Sequence, residues 1–204
     1  MDIICLDLEG VLIPEIWINF AEKTGIEKLR LTTREISDYD VLMRGRLEIL
    51  REHGLTLADI QEVIGTMDPL PGAREFLEEL KGKTQVVILS DTFSEFAQPM
   101  MRKLGWPTIF CNDLRTDAQG MITDYRMRQH DGKKKAILGL RSMGFRTFAA
   151  GDSYNDLSMI HTADCGALFR APKNILDEEP ELRLATTYEE FMAIIDDFLE
   201  AGKA

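Results

Sequence analysis

The chain's chemistry-bearing side chains gather where short apolar runs end. Asp7 and Glu9 follow Ile3-Ile4-Cys5-Leu6, two apart and just before Gly10. Carboxylates held that close repel unless a cation or a shared proton lies between them, and Gly10 lets the backbone turn away beneath them. Ser90 and Asp91 end a second run, Val86-Val87-Ile88-Leu89. A third, Phe148-Ala149-Ala150, leads into Gly151-Asp152-Ser153-Tyr154-Asn155-Asp156. Between the second and third sets stand three lysines in a row, Lys133, Lys134 and Lys135. Acids, one hydroxyl and a basic cluster at strand tips form a set able to neutralise and hold an anion.

The elements that must carry these groups follow from hydrophobic periodicity. Wholly apolar runs this short read as strands buried on both faces, as in parallel sheets. Further strands are expected at Thr108 to Cys111, Asp164 to Leu168 and Leu182 to Ala185, with a hairpin arm at Met121 to Met127. Helical patterning fills the intervals Ala73 to Lys81, Ser94 to Leu104, Lys133 to Met143 and Tyr188 to Leu199. Strands alternating with helices imply an α/β fold around a parallel sheet with right-handed crossovers. Ligands in such sheets collect at the carboxyl ends of the strands. From Pro14 to the break Asp68-Pro69-Leu70-Pro71-Gly72 the chain is helical, with Thr56 as an N-cap for Leu57 to Ile64. That stretch is expected to be an inserted cap over the strand tips. The expected domains are therefore a core of residues 1–13 and 71–204 and a helical cap of residues 14–70.

Composition narrows the partners. A net charge of -11 argues against nucleic acid and anionic membrane surfaces. No signal peptide or spanning segment is apparent, so a cytoplasmic protein is expected. Cys5, Cys111 and Cys165 are far apart and odd in number, and read as reduced, buried thiols. Trp17 and Trp106 read as packing anchors. His53, His130 and His161 form no metal or triad spacing.

In this order along the chain, the four sets resemble the motifs of the haloacid dehalogenase-like phosphatase superfamily, across almost the whole sequence. Asp7-Leu8-Glu9-Gly10-Val11 is similar to its first motif, Asp-x-Asp-Gly-Thr/Val. Ser90 matches the second, a lysine the third, and Gly151-Asp152-Ser153-Tyr154-Asn155-Asp156 the fourth, Gly-Asp-x-x-Asn-Asp. The resemblance implies a Rossmann-like, doubly wound core with a small helical cap after the first strand. It also implies an aspartyl-phosphate mechanism with Asp7 as nucleophile, Mg2+ as cofactor in an all-oxygen site, and Asp7, a backbone oxygen at Glu9 and Asp152 as ligands. Lys133 would bridge nucleophile and phosphate, with Lys134 its rival. Ser90 and the N–H groups after it, at the mouth of a helix, would hold phosphate oxygens together with Asp91 and Asn155. Glu9 would serve as general acid and then base, and Asp156 would support the metal shell.

The chain departs from the motif at Glu9, where aspartate is usual. The extra methylene changes where the proton waits and could favour an alcohol over water as acceptor. Val11 removes a hydroxyl expected near the phosphate. In the cap, Glu15 and Arg46 resemble the acid and arginine that meet the ammonium and carboxylate of substrate in the phosphoserine phosphatase branch, with Arg44 a rival for the carboxylate. Taken together, the chain is similar to bifunctional phosphoserine phosphatase/homoserine phosphotransferases. Those link to serine and threonine biosynthesis, and imply phosphoserine as substrate and homoserine as a second acceptor. The competing expectations are a sugar or nucleotide monophosphate as substrate, a dehalogenase, or a ligand-binding protein without catalysis.

Overall fold

The computed structural model describes residues 1–32, 35–36 and 38–203. Seven strands form one sheet, β1 (Asp2–Leu6), β2 (Gln85–Phe93), β3 (Ile109–Thr116), β4 (Ile122–Arg126), β5 (Arg146–Gly151), β6 (Cys165–Phe169) and β7 (Arg183–Ala185), in the order β4-β3-β2-β1-β5-β6-β7. All neighbours are parallel except the β3–β4 hairpin. The sheet is doubly wound from β1 at its centre, with helices on both faces, as expected.

The side-chain alternation of strands explains the two-sided core. Ile4 and Leu6 of β1, Ile88 of β2 and Phe148 and Ala150 of β5 point into one hydrophobic cluster. There α4 (Ala73–Lys83) and α9 (Tyr188–Ala201) bring Phe76, Phe191 and Phe198. Ile3, Cys5, Val87, Leu89 and Ala149 point into the other. They meet Ile137 and Leu140 of α6 (Gly132–Ser142), Met159 and Ile160 of α7 (Leu157–Thr162) and Ile175 of α8 (Lys173–Glu178). Burying both faces of the centre is why those strands read as unbroken apolar runs.

The stretch after β1 is helical: α1 (Ile16–Thr24), a 3-10 turn at Glu27–Arg30, α2 (Tyr39–Glu52) and α3 (Leu57–Thr66). Asp38 caps α2 by accepting from the N–H groups of Asp40 and Val41. Thr56 and Asp59 form a reciprocal capping box on α3, satisfying donors that the helix start leaves open. The two ends of the insertion are tied together where Leu70 N–H donates to Leu12 O at 3.0 Å. From α3 the chain passes into α4, and α5 (Ser94–Lys103) follows β2.

Several expectations are corrected. β3 runs on to Thr116 because Asn112, Asp113 and Arg115 belong to a strand carrying polar side chains out to the hairpin, which hides it from an apolar-run criterion. β2 continues through Ser90, Asp91 and Thr92 to Phe93, and its pairing with β3 shifts register between Leu89 and Phe93. Cys5 is buried, its thiol pushed up to about 12 by burial, but Cys111 is only half-buried and Cys165 is exposed. Trp106, at φ 55°, is 60% exposed and anchors no core.

Candidate active site

The strand tips converge as the parallel topology requires. Asp7 continues β1 by one residue, its N–H donating to Ala150 O at 2.9 Å. The chain then winds into a tight turn, with Leu12 and Ile13 N–H both donating to Leu8 O. Leu8, Val11, Leu12 and Ile13 are wholly buried and root the turn in the core. Val11 therefore packs inward, with its carbonyl accepting from the Tyr188 hydroxyl at 2.6 Å, and is not among the residues lining the cavity. Gly10 sits at φ +76°, and a Cβ there would lie 2.5 Å from the Asp152 carboxylate. Only glycine lets the two motifs approach so closely.

Of Lys133 and its rival Lys134, only Lys133 is brought to the acids. It stands in the first turn of α6, is 4% exposed, and its Nζ lies 2.7 Å from Asp156 Oδ1, 2.9 Å from Asp7 Oδ1 and 3.9 Å from Asp91 Oδ2. Lys134 and Lys135 point to solvent. Burial works to lower Lys133's pKa, but the charges of Asp156, Asp7 and Asp91 outweigh it and hold the ammonium well above its ordinary value.

Asp156 is fully occupied. Its Oδ1 takes Lys133, while its Oδ2 accepts from the backbone N–H groups of Asp152 and Ser153 and from the Ser153 hydroxyl. Its work is to fix the Asp152 turn and the lysine. Asp7 Oδ1 accepts from Leu8 N–H as well as Lys133, leaving Oδ2 without a partner among the described residues. Oxygens of Asp7, Asp152 and Asp156 lie within 4.8 Å of one another. Burial, then the Asp156 charge, raises Asp7 well above the usual carboxylate range, and the same causes with Glu15 lift Asp152 to about 7. One lysine against three carboxylates leaves a net anionic, oxygen-only donor set, which fits a hard divalent cation such as Mg2+.

Ser90 is buried, and its Oγ accepts from Thr92 N–H at 3.2 Å. It does not stand at a helix mouth as expected, because β2 runs three residues further before α5 begins. Asp91 Oδ2 accepts from Asn155 Nδ2 at 3.2 Å, linking the second and fourth motifs.

Above these groups lies a cavity of about 350 Å³ lined by Asp7, Glu9, Ser90, Asp91, Lys133, Asp152 and Asn155 from the core, and by Glu15, Trp17, Tyr39 and Arg46 from the helical insertion. Glu9 stands at the joint between the two: its Oε2 accepts from Ile16 N–H at 2.8 Å, at the start of α1. Burial and then the neighbouring Glu15 raise Glu9 to about 8. Arg46, 7% exposed on α2, donates from Nη2 to Leu31 O at 2.6 Å, and its Nε has no partner among the described residues. Burial lowers it to about 10, against the opposing effects of Tyr39, Glu9 and Glu15. Arg44, the rival, is exposed and pairs with Asp40 at 2.8 Å outside the cavity.

Asp7, Glu9, Glu15, Arg46, Ser90, Asp91, Lys133, Asp152 and Asn155 thus line one cavity and Asp156 supports it, whereas the rivals Arg44 and Lys134 lie outside. Two were missed. Trp17, taken as packing only, presents its ring to the Arg46 guanidinium, 4.4 Å from its carbon to the ring centroid. Tyr39 precedes Arg46 by seven residues, two helical turns, which was the signal that could have placed both on one face. His161 pairs with Glu179 at 3.1 Å and is not among the residues lining the cavity.

A family model described as haloacid dehalogenase-like hydrolase matches residues 1–164. A phosphoserine phosphatase of Pseudomonas syringae pathovar tomato is 57% identical over 93% of this chain and 80% of its own length. Phosphoserine phosphatase ThrH of Pseudomonas aeruginosa is 54% identical over 99% of this chain and 97% of its own. Among solved structures, a substrate-bound phosphoserine phosphatase complex superposes with a TM-score of 0.76 at 22% identity, covering 95% of this chain and 97% of that one. That likeness is one of fold.

Proposed function

The chain belongs to the haloacid dehalogenase-like hydrolases, and from that membership and the geometry of its cavity we propose that it is a Mg2+-dependent phosphoserine phosphatase that also passes the phosphoryl group to homoserine. The names of its relatives at 54% and 57% identity support the substrate. One observation carries the reading: a single cavity is lined by Lys133, Ser90 and the acids, suited to phosphate, and by Glu15 and a buried Arg46 whose Nε has no partner among the described residues, suited to an amino acid.

In the proposed reaction an Asp7 oxygen attacks phosphorus as the seryl P–O bond breaks. Glu9, raised to about 8 and so protonated at neutral pH, gives its proton to the departing alkoxide. It then takes one from water or the homoserine hydroxyl as that oxygen attacks the aspartyl phosphate and frees Asp7. Lys133 offsets the charge that two anions bring together. Asp7, Asp152 and a backbone oxygen at Glu9 would hold Mg2+, which when bound neutralises phosphate charge and orients it. Ser90, Asp91 and Asn155 line the phosphate end, with Asp91 and Asn155 orienting one another. Residues 14–70 act as a cap domain that opens to admit substrate. A cytoplasmic setting, and a place in serine and threonine biosynthesis, follow from that reading.

A sugar or nucleotide monophosphate is disfavoured, because it lacks the carboxylate that best complements the buried Arg46 guanidinium beside Glu15. The test is turnover of phosphoserine with Mg2+, with and without homoserine, following phosphate and phosphohomoserine separately. Phosphohomoserine formed at the expense of phosphate establishes transfer. Phosphate alone reduces the reading to a phosphatase. Turnover of other monophosphates but not phosphoserine overturns it.

A further inference from the structure

Trp17 is not needed by the chemistry above, yet it stands in the cavity wall against the arginine that reads the substrate. Its indole packs edge-on against Phe96 of the core at 5.5 Å and against Phe20 of its own helix at 6.3 Å, both fully buried. The ring is thereby fixed by the core and the helical insertion together. On its open side it meets the Arg46 guanidinium at 4.4 Å. Leu31 O takes one Nη2 proton, and Met43 Sδ lies 3.7 Å from Nη1. With one flank of the guanidinium held by Leu31 and a face against the indole, the edge carrying Nε is left without a partner among the described residues.

A flexible arginine would not hold so polar an edge open in a buried place without something restraining its plane. Cation–π contact is favourable where the cation is desolvated, and Arg46 is buried. We infer that Trp17 is a positioning residue that fixes the Arg46 guanidinium so that its Nε edge donates to a planar carboxylate, making selectivity for carboxylate-bearing phosphate esters depend on the indole. The inference rests on the proposed amino-acid end of the cavity and goes beyond it by assigning its selectivity to a residue that need not touch substrate.

The test compares Trp17→Leu, Trp17→Phe, Arg46→Ala and the Trp17→Leu/Arg46→Ala double variant on phosphoserine, 3-phosphoglycerate and p-nitrophenyl phosphate. Trp17→Leu should raise KM for the two carboxylate esters roughly 5- to 30-fold, with a much smaller effect on kcat and on p-nitrophenyl phosphate. Trp17→Phe, which keeps an aromatic face, should recover part of the loss. In the Arg46→Ala background the leucine substitution should add little, because the two side chains act as one unit. An equal effect on all three esters, or full additivity with Arg46→Ala, overturns the role. If the wild type turns over 3-phosphoglycerate but not phosphoserine, the substrate reading falls, while the Trp17 role is still decided on the former. Selectivity for neither carboxylate ester overturns both. Should Trp17→Leu fail to fold, Trp106→Phe leaves Trp17 as the sole indole; its emission should shift on titration with phosphoserine or 3-phosphoglycerate and stay unchanged in the Trp106→Phe/Arg46→Ala variant. No shift in the former overturns the inference.

Discussion

At the scale of single residues, the site is an electrostatic balance with Lys133 as its hub. Its ammonium touches Asp7 and Asp156 and sees Asp91, so it offsets the charge of the proposed nucleophile before any substrate arrives. Lys133→Met should therefore do two things. It removes the counter-charge of two buried carboxylates, costing about 3–5 kcal/mol of stability, and it lowers kcat beyond what that loss explains; denaturant midpoints and kcat measured well below the transition separate the two. Asp7→Asn should leave the fold intact, since it relieves like-charge repulsion, while lowering kcat by on the order of a thousandfold or more. Retained phosphate release would remove Asp7 as nucleophile. Gly10 makes a subtler case. Gly10→Ala puts a methyl group where Asp152's carboxylate lies and forces a left-handed backbone on a residue with a Cβ. The expected result is a higher Mg2+ concentration for half-maximal activity, read directly by a magnesium titration, with only a small fall in thermal midpoint.

At the scale of elements, the parts that could be read from the sequence are those whose burial is one-sided or complete. β1 and β5, and the apolar portion of β2, are enclosed by helices, so their composition announces them. β3 is only partly announced by its sequence, because Asn112 and Asp113 look like loop residues. Asn112 is buried instead, accepting from Arg128 N–H and donating to Asp91 O, a pairing no local pattern reveals. Glu15 and Arg46 were legible only through family likeness, whereas the Trp17–Arg46 contact depends on how α1 and α2 pack. Asp164 shows an element junction with a pH consequence. Between α7 and β6 it accepts from both the N–H and the hydroxyl of the buried Thr147 and pairs with Arg141 at 3.0 Å. Burial works to raise its pKa, but those hydrogen bonds and the Arg141 charge leave it below the ordinary value. A carboxylate so depressed contributes stability that is fully present above its unfolded pKa and is lost as pH falls through the folded one. Asp164→Asn should thus lower the thermal midpoint at neutral pH, and the gap from wild type should shrink on acidification below about pH 4. A gap independent of pH would show that the aspartate charge is not what matters there.

At the scale of the whole molecule, the helical insertion is joined to the core at more than its two ends. Tyr125 of β4 donates its hydroxyl to Asp40 of α2 at 2.5 Å, its ring meets Tyr39 edge-on at 5.9 Å, and Leu57 N–H, at the start of α3, donates to Gly120 O in the β3–β4 turn at 2.9 Å. The hairpin is therefore a further point of attachment, besides the packing of Trp17 on Phe96 and the Gln61 side chain donating to Glu95 O at 2.8 Å. On the proposed reading, in which the insertion opens to admit substrate and closes over it, contacts made by the hairpin enter the apparent affinity through the closed fraction. Tyr125→Phe keeps the ring packing and removes the hydrogen bond to Asp40, worth about 1 kcal/mol. If closure is incomplete in the free protein, KM for phosphoserine should rise up to about fivefold, that energy expressed as an equilibrium ratio. Because p-nitrophenyl phosphate lacks groups for Glu15 and Arg46, it gains less from closure, and its KM should move less. Equal changes for the two esters would mean the hairpin supports the fold without governing closure. A kcat that rises as phosphoserine KM rises would go further, placing reopening of the insertion among the steps that limit turnover.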